Sequence, residues 1–178
     1  MPTLYLLRHS HADSHGGEGA DHGRVLTAHG ERVARAIGEQ LAAHAPTPEA
    51  VWVSSARRAL ETWAQVAGVL SAAFAGSEGA AEPGEVVVSD RLYLATPSAM
   101  LELLHEQQAS LASGLLVGHN PGIHDLAMAL AGEGDADAYD RLRSDYPPAG
   151  LCSLEFDGAW PELAPGRARL ARFDVPAE

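Results

Sequence analysis

Four short apolar stretches, separated by segments long enough for helices, constrain this chain more than any other feature. They are Leu4–Leu7, Ala50–Val53, Val86–Val88 and Leu115–Val117. Runs this short and this uniformly apolar suit strands buried on both faces. Strands alternating with helices imply a mainly parallel sheet with helices on both sides.

The intervening segments carry helix signals. Thr27 reads as the N-cap of a helix to about His44, with Val33, Ile37 and Leu41 at every fourth position, ended by Pro46 and Pro48. Ser55 reads as the cap of a second helix, with Ala59, Trp63, Val66, Ala67 and Leu70 on one face. Residues 75–85 read as loop by composition. Thr96-Pro97 suits the N-cap and N1 of a third helix carrying Met100, Leu101, Leu104 and Leu111. Asn120-Pro121 opens a fourth, through about Leu130. Gly132–Asp140 reads as an acidic loop, with some helix within 138–145. Leu151–Phe156 and Ala168–Phe173 alternate as half-buried antiparallel strands do. The expected fold is α/β, with an antiparallel C-terminal pair beside the parallel strands. Neither a repeat nor a linker divides it, so residues 1–178 are expected to form a single domain.

Charge narrows the partners. The net charge of −12 argues against nucleic acid and acidic membrane surfaces. All 12 basic residues are Arg, so an anion site here must be built from Arg or His. Cys152 is the only cysteine, which leaves no disulfide, thiolate cluster or redox pair. Without a signal-peptide pattern or an apolar run near ~20 residues, the chain is expected to be cytoplasmic.

Three of the four strand ends carry chemistry. Arg8 and His9 follow the first, Ser54, Ser55 and Arg58 the second, and Gly118-His119-Asn120-Pro121-Gly122 the fourth. In a parallel sheet these ends share one edge, where open α/β folds bind ligands. Each piece alone has a plain explanation as a surface ion pair, a solvated arginine or a loop histidine. Together they suit a phosphoryl group, held by bidentate Arg8 and Arg58 with His119 as a third donor. His9 would then be the nucleophile, its neutral imidazole attacking phosphorus.

Leu7-Arg8-His9-Ser10, Ser54-Ser55-Ala56-Arg57-Arg58-Ala59-Leu60-Glu61-Thr62 and Val117-Gly118-His119-Asn120-Pro121 resemble the three motifs of the histidine phosphatase superfamily. Within it, the chain looks like the short phosphohistidine phosphatases of the SixA type. Asp21-His22-Gly23-Arg24-Val25-Leu26-Thr27, with Gly30, is similar to that branch's approach to the first helix. The resemblance implies a three-layer α/β/α sandwich, no metal or other cofactor, and His9 as nucleophile. It places Arg8, Arg58 and His119 around the phosphate, with Arg24, Ser10 and Asn120 as further substrate-side contacts.

The chain departs from the pattern in two places. Ser10 stands where Gly is common. After the third strand, Leu92-Tyr93-Leu94-Ala95 holds no carboxylate, where many ester-hydrolysing members place a Glu acid. An alkoxide leaving group has a conjugate-acid pKa near that of water, ~15.7, and needs a proton. Imidazole, with a pKa of about 6.5, leaves with little help. The missing acid therefore favours phosphohistidine, unless Asp13, Asp90 or Asp125 folds in as a substitute.

His11, His15 and His22 lie in a loop whose spacing does not match a compact metal motif, and a loop bordering the pocket is expected. The expected substrate is a phosphohistidine on another protein, such as a phosphotransfer or signalling domain, with inorganic phosphate as product. The alternatives are a phosphatase of small phosphorylated metabolites or nucleotides, and a non-catalytic phosphate-binding module.

Overall fold

In the computed structural model, residues 1–15, 20–45, 47–75 and 84–176 are described. Pro46, most of the 75–85 segment and residues 16–19 of the His-rich loop lie outside them. Among the described residues, seven strands form one sheet in the order β3-β2-β4-β1-β6-β7-β5, with β5 at Ala131–Gly134. β1 (Thr3–Arg8), β2 (Ala50–Ser54), β3 (Glu85–Ser89) and β4 (Ser113–Gly118) run parallel. β6 (Leu151–Phe156) runs antiparallel to both β1 and β7 (Ala168–Asp174).

The three layers follow from side-chain alternation along β1. Leu4 and Leu6 face one core and Tyr5 and Leu7 the other. The Tyr5 face packs against α1 (Ala28–His44) and α2 (Arg57–Phe74), through Val33, Ile37 and Leu41 of α1 and Ala59, Trp63, Val66 and Leu70 of α2. The Leu4 face packs against α3 (Pro97–His105), α4 (Gly122–Leu130) and α5 (Ala136–Ser144), with Trp52 and Trp160 ring-to-edge at 5.6 Å.

Several local expectations are corrected. Ser55 does not cap α2: the N-cap is Ala56, without a side-chain bond, and the Ser55 hydroxyl meets His22 Nε2 at 2.9 Å. α3 ends at His105, so Leu111 packs on the core from the following turn. The segment 132–140 is not a loop. Ala131–Gly134 is a strand, β5, parallel to β7, and Asp135 caps α5 through Ala138 N. A Cβ at Gly132 would lie 2.1 Å from Gly166 O, and one at Gly134 2.5 Å from Leu170 O, so these glycines allow close strand packing. β3 is an edge strand, and Val86, Val87 and Val88 are exposed rather than buried.

Candidate active site

The parallel strands deliver their C-terminal ends in register. Arg8 pairs with Gly118 across β1 and β4, and Val53 with Val117 across β2 and β4. His9 N donates to Gly118 O at 3.0 Å, and Ala149 N donates to His9 O at 3.2 Å. The backbone under the imidazole is thus pinned from both sides before any ligand arrives.

The His9 ring is oriented just as firmly. Its Nδ1 lies 2.7 Å from Ser10 O. A carbonyl only accepts, so Nδ1 carries the ring proton and Nε2 keeps its lone pair. Nε2 receives the Arg58 Nε–H at 3.2 Å. Burial, with smaller contributions from His119, Arg58 and Arg8, pushes the His9 pKa down to about 3. The imidazole is therefore neutral at physiological pH, as a nucleophile must be.

His119 lies across from it, ring centroids 5.2 Å apart. Its Nδ1 faces Arg58 Nη2 at 3.3 Å and its Nε2 meets Ser54 Oγ at 2.6 Å. Burial first, then the Arg58 charge, lowers its pKa to about 4. Arg58 itself is 2% exposed and commits every nitrogen: Nε to His9, Nη1 to Asp21 O at 2.7 Å, Nη2 to Asp21 Oδ2 at 3.0 Å.

Asp21 is the residue that sequence reasoning missed. Its Oδ2 also accepts from Tyr93 OH at 2.7 Å, and its Oδ1 from Arg24 Nη1 at 3.1 Å. The Tyr93 hydroxyl foremost, with both guanidiniums, holds the carboxyl well below the usual carboxylate range despite some opposing desolvation. It is an anion resting on Arg58, not an acid. The signal lay in Asp21-His22-Gly23-Arg24, of which only Arg24 was singled out. Arg24 reaches the centre through Asp21, with its Nε on Asp13 O at 2.5 Å.

The other expected residues sort as follows. Arg8 gives Nη1 to Tyr146 O at 2.8 Å, and its buried Nε has no partner among the described residues. Asn120 gives Nδ2 to the same carbonyl at 3.0 Å, and its buried Oδ1 has no partner among the described residues. The Ser10 hydroxyl is spent on Gly30 O at 2.7 Å, and its N–H on Thr62 Oγ1 at 3.0 Å, so Ser10 bears on the site through its carbonyl. The Asp13 carboxylate binds His15 N. Asp90 and Asp125 are exposed, and among the described hydrogen bonds neither reaches His9, Arg58 or His119. His11, His15 and His22 diverge: His11 packs on His29, His15 meets Ser14, and His22 meets Ser55. Among the described residues, no group of three or more His, Cys, Asp or Glu is placed to hold a metal ion, and no helix is long and apolar enough to cross a membrane.

Residues 4–83 match the model of the histidine phosphatase superfamily, branch 1. An uncharacterized protein of Mycobacterium tuberculosis is 33% identical over 159 residues, 88% of this chain and 92% of that protein. The structure of a candidate phosphohistidine phosphatase SixA from Nakamurella multipartitia is similar at a TM-score of 0.81 and 29% identity, over 99% of this chain and 97% of the other. A second, from Agrobacterium tumefaciens, aligns at a TM-score of 0.76 and 26% identity, over 98% and 99% of the two chains.

Proposed function

The chain belongs to the histidine phosphatase superfamily, and from that membership we propose that it is a metal-independent phosphohistidine phosphatase, working as one domain over residues 1–178 and forming a covalent intermediate on His9. One observation carries the reading. With Nδ1 tied to Ser10 O, the unprotonated Nε2 of His9 faces the guanidinium that would hold the incoming phosphoryl group.

The steps follow from the free donors. Phosphoryl oxygens engage the unpaired Arg8 Nε–H and draw Arg58 away from Asp21, replacing one anion by another. His9 Nε2 attacks phosphorus as the bond to the leaving imidazole nitrogen breaks, and that nitrogen takes the electron pair. Because the other nitrogen of the substrate ring already carries a proton, the ring leaves as neutral imidazole. The phosphoryl dianion favours protonated His119, with Nε2–H on Ser54 Oγ and Nδ1–H on a phosphoryl oxygen. Water then attacks phosphorus, the electron pair of the P–N bond returns to His9, and the product leaves as dihydrogen phosphate, keeping both protons of the water, one of which is then lost to solvent. Arginine and imidazolium thus offset the charge that a metal ion handles in other phosphatases.

The leaving group selects the substrate. Among the described residues, the carboxylate bonded to Arg58, Asp21, is held ionised and does not supply the proton an alkoxide needs. An imidazole does not need it. The substrate proposed is accordingly phosphohistidine on a protein.

The test compares phosphate release from a phosphohistidine peptide and a sugar phosphate, each with excess chelator, by wild type and His9→Ala. Chelator-resistant turnover of the peptide alone, lost in the variant, is expected. Preference for the sugar phosphate would overturn the substrate, and loss of activity to chelator would overturn the metal-independence.

A further inference from the structure

A cavity of about 310 Å³ opens beside Asn120, between the turn after β3 and the start of α4. That volume lies at the lower end of the ~300–1,000 Å³ of ordinary ligand sites. Leu94, Ala95, Pro97 and Pro121 supply apolar wall, and Thr96, Asn120 and Asp125 supply polar groups. The cavity adjoins the phosphoryl centre on both sides. Asn120 directly follows His119, and Leu94 follows Tyr93, whose ring stands 5.7 Å from that of His119. The close seating of α4 depends on Gly122, where a Cβ would fall 2.0 Å from Ala95 O.

Two features of the cavity await a partner. Leu94 is 55% exposed and held at φ +48°, a region a leucine seldom occupies. Asp125 is exposed, and among the described residues its carboxylate has no ion-pair partner. The one charged group in the lining is the Asp125 carboxylate, beside the Thr96 hydroxyl and an Asn120 whose amide nitrogen is already given to Tyr146 O. A chain with a basic side chain would meet complement at Asp125, and its apolar side chains would meet Leu94, Pro97 and Pro121.

We propose that this cavity seats the polypeptide flanking the phosphohistidine of a protein substrate, with a basic side chain of that segment paired to Asp125. The proposal rests on the phosphohistidine reading above. Continuity with the phosphoryl centre carries it: a residue bound at His9 has neighbours in sequence, and the cavity lies where they would run.

The test uses two sets of phosphohistidine peptides, with Arg or Glu placed in turn at each nearby position, and N-phosphoimidazole, which has the same leaving group and no chain. Wild type should favour one Arg peptide over its Glu counterpart by about fivefold in kcat/KM, the scale of an exposed ion pair. Asp125→Arg should reverse that preference and leave N-phosphoimidazole hydrolysis unchanged. A reversal cannot come from a misfolded variant. Equal rates on all peptide pairs, or one common loss across peptides and N-phosphoimidazole in Asp125→Arg, would overturn the docking site alone. Failure of wild type to hydrolyse any phosphoramidate would overturn the phosphohistidine reading as well.

Discussion

The Nε–H of Arg58 points at Nε2 of His9 across 3.2 Å. The group expected to bind substrate therefore already marks the nitrogen expected to attack it. This pairing is stable only while the imidazole is neutral, because a protonated Nε2 would set donor against donor.

That condition has a measurable cost in acid. His9 and His119 have folded pKa values of about 3 and about 4, below the unfolded value of about 6.5. Between those values the unfolded chain binds more protons, so stability rises with pH and is lost as pH falls below about 6.5. Urea unfolding at pH 7 and pH 5 should show a loss of about 2 kcal/mol for each histidine. The loss should shrink in His9→Gln and His119→Gln. Equal stability at both pH values would contradict the burial of neutral histidines.

Ser54 holds His119 through Oγ at 2.6 Å and also accepts from Ala56 N at 3.3 Å. Ser54→Ala leaves the buried Nε2 without its partner and the ring free to turn. A fall in kcat/KM of about tenfold is expected, about 1.4 kcal/mol, with KM for substrate less affected than kcat. Unchanged kinetics would show that His119 needs no such support.

Asp21 occupies Arg58, the guanidinium proposed to hold the phosphoryl group, through an ion pair at 3.0 Å. Asp21→Asn removes that negative charge while keeping the shape, so inorganic phosphate should bind several-fold more tightly by calorimetry, and more so at low salt. Weaker binding would instead make Asp21 chiefly a support for the guanidinium.

Gly30 lets α1 lie against the strand extension beyond His9. A Cβ there would fall 2.0 Å from the His11 carbonyl oxygen, and Gly30 O receives the Ser10 hydroxyl. Gly30→Ala should cost about 2–3 kcal/mol and lower the thermal midpoint by several degrees. A midpoint unchanged from wild type would refute the tight approach.

The strand ends were legible because each buried strand is a continuous apolar run that stops where polar residues begin. Arg8, His9, Arg58 and His119 stood out against that contrast. Asp21 did not, since it lies in a loop and reaches the centre only through contacts with Arg58 and Tyr93, far along the chain. β5 was hidden for another reason: Ala131–Gly134 has almost no side chains to show a period, and its two glycines mark close backbone packing instead. The exposure of β3 was invisible because Val86-Val87-Val88 is apolar whether covered or at an edge. The end of α3 at His105 was likewise masked by Leu111, which packs on the core without being helical.

The covalent step on His9 is tested most directly by mixing enzyme with ³²P-labelled phosphohistidine peptide, quenching in alkali within one turnover, and mapping the label. The account predicts an acid-labile, alkali-stable phosphoryl group on Nε2 of His9, absent from His9→Ala. Label on any other residue, or release of phosphate in a single turnover with no labelled enzyme, would contradict it.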